Sequence, residues 1–353
     1  MMATRGAQTL AEINRQPEAW THTIRNVEAQ KGQLLALAKG VEEVIFTGSG
    51  SAYNVSMVLA PTFQHFTGVR ARSAPAAELI HFPETVFPQT KKCLVVTITR
   101  SGETTEAIGA CSAAQERGCR TLGITCHTDS TLVRLADSTL ILADANERSV
   151  VTTQSLTSMV LCGQVLSALI ADDRPSLEAM RQVPEWGRQR IAAAHQLGQQ
   201  IADNEAIDKF AFVGNGPYLG LARECQLKLK EMVLQPSDAY PLFDFRHGPK
   251  SNVDGHMLVT VLVSDRAQRE EATFLRDMRQ LNGKLLVLCD RAEGPMAQDA
   301  DYMFKTDSGL PDFAREVLYM PVIHYLAYYR SLALGYDPDN PVNLTYWVDL
   351  ASS

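Results

Sequence analysis

Two short segments of the chain carry residues suited to moving protons. Glu224 and Glu231 lie seven residues apart in the segment ECQLKLKE, which predicts a helix with both carboxylates on one face, two turns apart. Sixteen residues after Glu231, His247 stands in the sequence Arg-His-Gly-Pro, a turn in which we expect its ring to be held. Two carboxylates and a fixed imidazole are groups that acid–base chemistry on a sugar requires.

The same helix also has a purely structural interpretation. An exposed amphipathic helix would pair both glutamates with Lys228 or Lys230, one turn away on the helix surface. A lone histidine is, in the same way, usually a structural residue. The residues of these two segments do not by themselves separate the two interpretations.

Two loops rich in glycine and hydroxyl residues follow apolar runs in the first half of the chain. They are 48–53 (GSGSAY) and 99–104 (TRSGET), and the second opens a helix. Small residues let backbone N–H groups approach an anion, and a helix N-terminus favours negative charge. The loops therefore predict a phosphate site, with plain helix capping by Ser101 and Thr104 as the alternative. The loop 48–53 lacks the third glycine of a dinucleotide fingerprint.

The elements that must position these loops occur twice along the chain. Apolar runs stand at 44–47, 94–98, 121–125 and 140–142, and again at 210–213, 258–263, 285–288 and 302–304. Corresponding runs lie about 165 residues apart, which indicates a duplicated unit. Continuous apolar runs indicate strands that are buried on both faces, and alternation with helical segments such as 104–117 and 268–281 indicates parallel sheets. The fold class predicted is α/β, with two tandem, doubly wound, flavodoxin-like three-layer sandwiches.

This pattern also predicts how the chain divides. We expect an N-terminal helical segment at 1–30, a first α/β domain at 31–172, a helical linker at 173–204, a second α/β domain at 205–335 and a tail at 336–353. The first domain carries the phosphate loops, and the second carries the glutamate helix and the histidine turn. The end of the second domain, 310–335, predicts a single helix.

Bulk composition excludes several classes of function. A net charge of −7 argues against binding to nucleic acid or to an anionic membrane surface, and no apolar run approaches the roughly 18 residues of a membrane span. The seven cysteines form no CxxC pair and the N-terminus has no apolar signal core, so we expect reduced thiols in the cytoplasm. The eight histidines show neither HxxxH nor HEXXH spacing, and we expect no metal and no cofactor.

Taken together, the glutamate helix, the Arg-His-Gly-Pro turn and the loop 99–104 resemble the SIS (sugar isomerase) family, including the isomerase half of glucosamine-6-phosphate synthase, over roughly residues 10–350. The resemblance implies that Glu231 is the base that moves a proton between C1 and C2. It implies that Glu224 is a second carboxylate at the sugar or at ammonia-handling groups, and that His247 assists ring opening. In the synthase this histidine reaches a neighbouring subunit's site, so the resemblance implies a homodimer with sites at the subunit interface.

The resemblance also implies a set of phosphate and substrate contacts. These residues are Ser51, Thr99, Arg100, Ser101, Thr104 and Thr152. Arg100 and the segment 147–157, which contains Thr152, are more like the tagatose-6-phosphate isomerase/deaminase-like branch than the synthase.

The tail departs from the synthase pattern at one position. The synthase ends in Asn-Leu-Ala-Lys, whose lysine forms a Schiff base with the open-chain sugar, whereas this chain has Tyr346 at the place of that lysine. A phenol cannot form an imine. We also expect no N-terminal glutamine-hydrolysing domain, and position 2 is not a cysteine. We therefore expect that the chain does not make glucosamine-6-phosphate from glutamine, and that Tyr346 helps the tail to close the site.

The function predicted is that of a phosphosugar isomerase. It would act on a hexose 6-phosphate or amino sugar 6-phosphate through an enediol or enolamine, as aldose–ketose isomerisation with or without deamination. One alternative is a deglycase that removes an amino acid from a phosphorylated fructosamine by the same enolisation. A second alternative is a domain that senses a sugar phosphate without turning it over.

Overall fold

The computed structural model describes residues 5–90, 92–292 and 294–348. Residues 1–4 of the predicted N-terminal segment and 349–353 of the predicted tail lie outside the described residues. The chain forms two compact units. We call residues 15–148, 152–182 and 345–353 the amino-terminal unit, and residues 1–14, 149–151 and 183–344 the carboxy-terminal unit. The predicted domain boundaries stay a prediction.

The amino-terminal unit contains a five-stranded sheet with helices. Its strands are β1 (Glu43–Gly48), β2 (Arg70–Pro75), β3 (Cys93–Ile98), β4 (Arg120–Thr125) and β5 (Ser138–Ile141). Its helices are α2 (Gln16–Ala29), α3 (Lys31–Ala38), α4 (Ser51–Thr67), α5 (Ala76–His81), α6 (Pro83–Val86), α7 (Thr105–Glu116), α8 (Thr131–Leu135) and α9 (Gln154–Ile170).

The carboxy-terminal unit contains a second five-stranded sheet. Its strands are β6 (Lys209–Gly214), β7 (Ser237–Pro241), β8 (Met257–Leu262), β9 (Lys284–Cys289) and β10 (Tyr302–Lys305). Its helices are α1 (Ala7–Asn14), α11 (Pro217–Met232), α12 (Gln268–Gln280), α13 (Pro295–Asp299), α14 (Asp312–Arg315) and α15 (Met320–Ala333), and α10 (Arg174–Ala202) belongs to both units.

Both sheets are parallel and share one topology. The first has the order β2-β1-β3-β4-β5, and the second has the order β10-β9-β8-β6-β7, which is the same order followed from the opposite edge. Every residue of the central strands β1, β3 and β8 is buried, as the continuous apolar runs predict. The predicted fold class, two tandem doubly wound parallel sheets, is confirmed.

Two strands and one helix differ from the sequence prediction. The edge strands β2 (RARSAP) and β7 (SDAYP) have no apolar run and are partly exposed, so their sequences carry no buried-strand signal. The predicted helix 310–335 is interrupted: α14 is followed by a 3₁₀ turn at 316–319 before α15 begins. Pro321, in the first turn of α15, has no N–H to continue the preceding helical ladder.

The first strand of each sheet ends in the same glycine conformation. Gly50 precedes α4 with φ 58° and ψ −127°, and Gly216 precedes α11 with φ 57° and ψ −131°. A residue with a side chain rarely adopts these angles. The two halves therefore turn from strand to helix through the same glycine backbone conformation.

We expect Gly50→Ala to lower the free energy of unfolding by roughly 1–3 kcal/mol because alanine must adopt this strained backbone. The position is otherwise open, since an added Cβ would meet nothing within 4 Å. Gly32→Ala, in helix α3 and equally open, is the matched control; it should leave the stability unchanged or raise it by up to ~1 kcal/mol. Urea denaturation measures both, and equal effects at the two positions would contradict the strain argument.

Candidate functional site

The two predicted phosphate loops lie side by side at the carboxyl edge of the first sheet. Strands β1 and β3 are neighbours, with Thr47 in register with Thr97, so the loops that follow them emerge next to each other. Helix α4 begins at Ser51 and helix α7 at Thr105, so two helix N-termini start from these loops. The positive dipole ends of these two helices are suited to an anion.

The predicted hydroxyl ligands form two groups at this edge. The Oγ1 of Thr99 lies 3.0 Å from the Oγ1 of Thr104 and 3.5 Å from the Oγ of Ser101. The hydroxyl of Thr152 donates to the Oγ of Ser51 at 3.1 Å. The Oγ of Ser101 also accepts the backbone N–H of Glu103 at 3.1 Å, which is a local turn before the helix, and the N-cap residue Thr104 makes no side-chain capping bond to α7.

Arg100, the remaining predicted ligand in the loop, is directed elsewhere by its contacts. Its side chain is buried, its guanidinium carbon lies 3.9 Å from the centroid of the Tyr346 ring, and its Nη2 donates to the Tyr346 carbonyl oxygen at 2.9 Å. Its Nη1 lies 3.8 Å from the Oε2 of Glu147. The charge of Arg100 is thus directed at a buried carboxylate, and its role as a phosphate ligand stays a prediction.

Glu147 is a carboxylate that sequence reasoning did not single out. Its side chain is fully buried and accepts hydrogen bonds from the N–H (2.7 Å) and hydroxyl (2.6 Å) of Thr153, the N–H of Gln154 (2.8 Å) and the hydroxyl of Ser155. Glu147 therefore caps the N-terminus of α9 and pairs with Arg100. The sequence signal is a glutamate six residues before the Thr-Gln-Ser that opens an apolar helix.

The tail residues 345–348 lie on the second loop of the amino-terminal unit. The Tyr346 hydroxyl is 2.7 Å from the carbonyl oxygen of Glu147 and 3.4 Å from the Nε2 of His127. The carbonyl oxygen of Val348 accepts the N–H of Thr105, the first residue of α7, at 3.4 Å. Tyr346 thus joins the tail to the loop 99–105, in the place where a closing role was predicted for it.

The predicted proton-transfer carboxylates lie on α11 in the carboxy-terminal unit, joined by a lysine. The Nζ of Lys228 lies 3.1 Å from the Oε1 of Glu224 and 2.5 Å from the Oε2 of Glu231. Lys228 and Glu224 are fully buried, whereas the Glu231 side chain is 19% exposed. The helix therefore makes the lysine pairs of the structural interpretation, but its paired face is buried and only Glu231 reaches solvent.

The charge state of Lys228 follows from these contacts. Burial alone lowers the pKa of Lys228, but the attraction of Glu224 and Glu231 outweighs burial and raises the pKa above its ordinary value. Lys228 is therefore an ammonium group in the folded chain, and it donates to both carboxylates at once.

Sequence reasoning also did not single out a buried histidine on the helix that packs against α11. His324 lies on α15, which packs against α11 through the contact between the Cys225 sulfur and the Met320 sulfur at 3.8 Å. Burial, followed by the positive charge of Lys228, lowers the pKa of His324 to about 3. Within the described residues neither ring nitrogen has a hydrogen-bond partner. The ring is therefore a neutral imidazole, and its only sequence signal is a histidine inside an apolar helical run.

The structure places His247 at the surface. Its backbone N–H donates to the carbonyl oxygen of Asp244 at 2.9 Å, and Gly248 takes φ 138° behind it. The side chain is exposed and makes no hydrogen bond or ion pair with the residues that the structure describes. The expectation that the turn holds the ring is therefore wrong, because the turn fixes the backbone and leaves the imidazole free to meet another surface.

Within the described ranges 5–90, 92–292 and 294–348, no three His, Cys, Asp or Glu side chains are grouped so that they could hold a metal ion. None of the helices in those ranges combines the length and apolar character needed to cross a membrane.

Comparison with known proteins identifies the family. The SIS domain, as a family model, matches residues 37–169 and again 206–332, which together make up well over half of the chain. The chain belongs to the SIS domain family. Its two matched segments each contain one of the five-stranded sheets.

Relatives of this SIS chain include two kinds of enzyme by name. It is 28% identical to the isomerizing glutamine–fructose-6-phosphate aminotransferase of Pseudomonas putida, over 95% of this chain and 57% of the relative. The chain thus spans little more than half the length of that relative. It is 25% identical to the D-galactosamine-6-phosphate deaminase AgaS of Escherichia coli, over 96% of this chain and 92% of the relative.

Solved structures show the same fold. The tagatose-6-phosphate ketose/aldose isomerase of Escherichia coli superposes with a TM-score of 0.86 at 23% identity, covering 98% of this chain and 96% of that one. The C-terminal domain of glucosamine-fructose-6-phosphate aminotransferase from Francisella tularensis superposes with a TM-score of 0.81 at 22% identity, covering 97% and 100%.

At the strand end of the second SIS domain that corresponds to the loop 99–104, the described residues form ion pairs. Asp265 follows β8, and its Oδ2 accepts a hydrogen bond from Nη1 of Arg315 at 2.6 Å. Nη2 of Arg315 lies 2.7 Å from the Oδ1 of Asp312, which also accepts the hydroxyl of Tyr218 at 2.9 Å. This strand end is filled by an internal ion-pair network.

We expect Lys228→Met to lower the free energy of unfolding by about 3 kcal/mol at pH 7, because it leaves the Glu224 carboxylate buried without its counter-charge. The double variant Glu224→Gln/Lys228→Met should recover much of that loss, because neither buried charge remains. Lys230→Met, two residues along and exposed, is the control and should change stability by less than ~0.5 kcal/mol. Urea denaturation gives all three free energies of unfolding. Equal losses for Lys228→Met and Lys230→Met would show that the buried pair of Lys228 and Glu224 contributes no more to stability than an exposed lysine.

The pKa of His324 predicts a loss of stability in mild acid. An unfolded chain binds a proton at this imidazole below its ordinary pKa of 6.5, whereas the folded chain does not until about pH 3. Stability should therefore fall as pH falls through that window, by about 1.5 kcal/mol between pH 6.5 and 5. The stability of His324→Gln should fall by about 1.5 kcal/mol less than that of the wild type over this pH range. His65→Gln, at an exposed position, should follow the wild type. Parallel slopes for wild type and His324→Gln would refute the assignment.

Proposed function

We propose that this SIS chain is a phosphosugar isomerase that acts on an amino sugar 6-phosphate or hexose 6-phosphate. It moves a proton between C1 and C2 through an enolamine or enediol, as aldose–ketose isomerisation with or without loss of ammonia. The observation that carries the proposal is Glu231, a carboxylate that reaches solvent while its partner Lys228 and the second carboxylate Glu224 are fully buried.

Glu231 has the position and the support that a general base needs. Its 2.5 Å contact with Lys228 fixes the carboxylate, and its 19% exposure leaves it reachable by a substrate. A single carboxylate on one face of the sugar can take the proton from one carbon and return it to the next. Glu224, buried on the far side of Lys228, serves to hold the lysine and thereby Glu231.

Anion binding is assigned to the amino-terminal unit. The clustered hydroxyls of Thr99, Ser101 and Thr104, the pair Ser51 and Thr152, and the N-termini of α4 and α7 provide neutral donors and positive dipole ends for a phosphate. The tail residue Tyr346, bonded to the loop region, closes this site. A chain of net charge −7 can bind a phosphate in this way because the donors are local.

The relatives and the exposed histidine support the finer assignments. The match to the galactosamine-6-phosphate deaminase AgaS extends over nearly the whole length of both chains, which favours an amino sugar phosphate as substrate. His247 has a ring that is exposed and unbonded to the described residues, as a group that serves a neighbouring subunit would be. We therefore propose a homodimer in the cytoplasm in which His247 assists ring opening.

Proton NMR in deuterated water tests the function. We expect deuterium at C1 or C2 of at least one member of a panel of glucosamine, galactosamine, fructose, tagatose and fructosamine-type 6-phosphates, with ammonia released from an amino sugar. Glu231→Gln should slow this exchange by about 10²- to 10⁴-fold, because the base is lost, while phosphate-dependent binding persists. Glu185→Gln, an exposed helical glutamate, is the control and should exchange like the wild type.

Other results would assign other functions. Exchange accompanied by a free amino acid would identify a deglycase. Phosphate-dependent binding without exchange on any sugar would identify a sensor and overturn the role of Glu231. Exchange that is unchanged in Glu231→Gln would show that another residue is the base.

A further inference from the structure

Two cysteines lie next to each other at the amino edge of the first sheet, at the opposite ends of β3 and β4 from the phosphate loops. Cys93 is the first residue of β3, and Cys119 stands immediately before β4. Leu94 is in register with Arg120, so Cys93 and Cys119, each one residue earlier in the chain, lie opposite each other on neighbouring strands. Both side chains belong to the same buried cluster and therefore face the same side of the sheet.

The two thiols are near enough to influence each other's protonation, since the first cause of the pKa shift of each is its interaction with the other. Adjacent strands are about 4.8 Å apart, which falls within the Cα separation of roughly 4.4–6.8 Å that a disulfide spans. A bond between these sulfurs therefore requires little movement of the backbone.

Only one of the two sulfurs has a route to solvent. Cys119 is 8% exposed and lines a surface pocket of about 380 Å³, whereas Cys93 is fully buried behind it. The other lining residues are Pro83, Glu84, Phe87, Pro88, Gln89, Thr90 and Arg117. The Arg117 guanidinium is held over the Phe87 ring at 4.8 Å and bonded to the carbonyl oxygen of Ala113 at 3.1 Å. The pocket thus leads a small molecule past a fixed cation to one thiol.

The surrounding groups shift the pKa values of the two thiols in opposite directions. The hydrogen bond from Cys93 and the charge of Arg117 lower the pKa of Cys119 against the effect of burial. The bond to Cys119, together with burial, raises the pKa of Cys93. The ion pair of Glu43 and Arg72, at 2.8 Å on the neighbouring strands, acts on Cys93 with opposite signs.

The remaining cysteines offer no comparable site. Burial raises the pKa of each of them: Cys111, Cys126, Cys162, Cys225 and Cys289. All seven cysteines of the chain are free thiols, so the pair is present in its reduced form. A lowered pKa and access to the surface pocket therefore coincide at Cys119.

We propose that Cys119 and Cys93 form a thiol modification site that reacts with a small hydroperoxide entering through this pocket. The Cys119 thiolate attacks the O–O bond, takes one oxygen as a sulfenic acid and releases hydroxide, which becomes water on protonation. The sulfur of Cys93 then attacks the sulfenic sulfur, forming the S–S bond and releasing a second water. Two thiols are oxidised to one disulfide, and hydrogen peroxide is reduced to two waters.

Peptide mapping of the native, full-length chain after treatment with hydrogen peroxide tests the site. We expect a peptide cross-linked between Cys93 and Cys119 that dithiothreitol removes, while the other five cysteines stay reduced. In the untreated wild type, iodoacetamide should label Cys119 at least roughly tenfold faster than the fully buried Cys162, because only the first of these two thiols lines the pocket.

Two substitutions of Cys93 separate its two roles. Cys93→Ser keeps a hydroxyl donor but cannot form a disulfide, so peroxide should leave a sulfenic acid on Cys119 that dimedone traps. Cys93→Ala also loses the donor, and alkylation of Cys119 at pH 7 should slow by a factor on the order of ten relative to Cys93→Ser. Cys162→Ser is the matched control and should behave like the wild type.

The proposal is overturned if the wild-type chain gives no Cys93–Cys119 cross-link under peroxide. It is also overturned if Cys119 is labelled no faster than Cys162. Because both measurements use the wild type, they decide the question even if a variant does not fold.

Discussion

A charge that is removed from water must be matched by fixed partners, and in each unit of this chain such a charge lies among the candidate residues. In the amino-terminal unit it is the carboxylate of Glu147, and in the carboxy-terminal unit it is the ammonium of Lys228. Burying either ion alone costs several kcal/mol, so each is surrounded by groups that have few other positions to occupy. Loop 99–104, the start of α9 and the tail at Tyr346 are arranged around the first charge; Glu224 and Glu231 are arranged around the second.

This constraint explains how the chain itself holds the candidate groups in fixed positions. If Arg100 moved away from Glu147, the buried carboxylate would lose its counter-charge. If Glu231 moved away from Lys228, the buried ammonium would lose one of its two carboxylate partners. Side chains that the fold already holds lose little further conformational entropy when a substrate binds, and this favours efficient acid–base chemistry. His247 is the exception, because nothing in the described part of its own chain positions its ring.

The parts of the fold that sequence could predict are those set by local pattern. The central strands were predictable because burial on both faces leaves continuous apolar runs, whereas the edge strands β2 and β7 face solvent and leave none. Seven-residue spacing was enough to place Glu224 and Glu231 on one face of α11. Whether that face is buried depends on α15, about 100 residues further along, and no local pattern reports it. The pairing of Arg100 with Glu147 and Tyr346 is equally long-range.

The network of Asp265, Arg315 and Asp312 has a consequence for the symmetry of the duplicated fold. A tandem repeat of one doubly wound sheet starts with two equivalent strand ends, and a chain that kept both would accept two anions. In the second copy the carboxylates of Asp265 and Asp312 already pair with the guanidinium of Arg315, so the positive charge that could attract an outside anion is matched within the chain. The two copies are therefore no longer interchangeable: one presents hydroxyl groups at this strand end, and the other has filled the same position with an ion-pair network of its own.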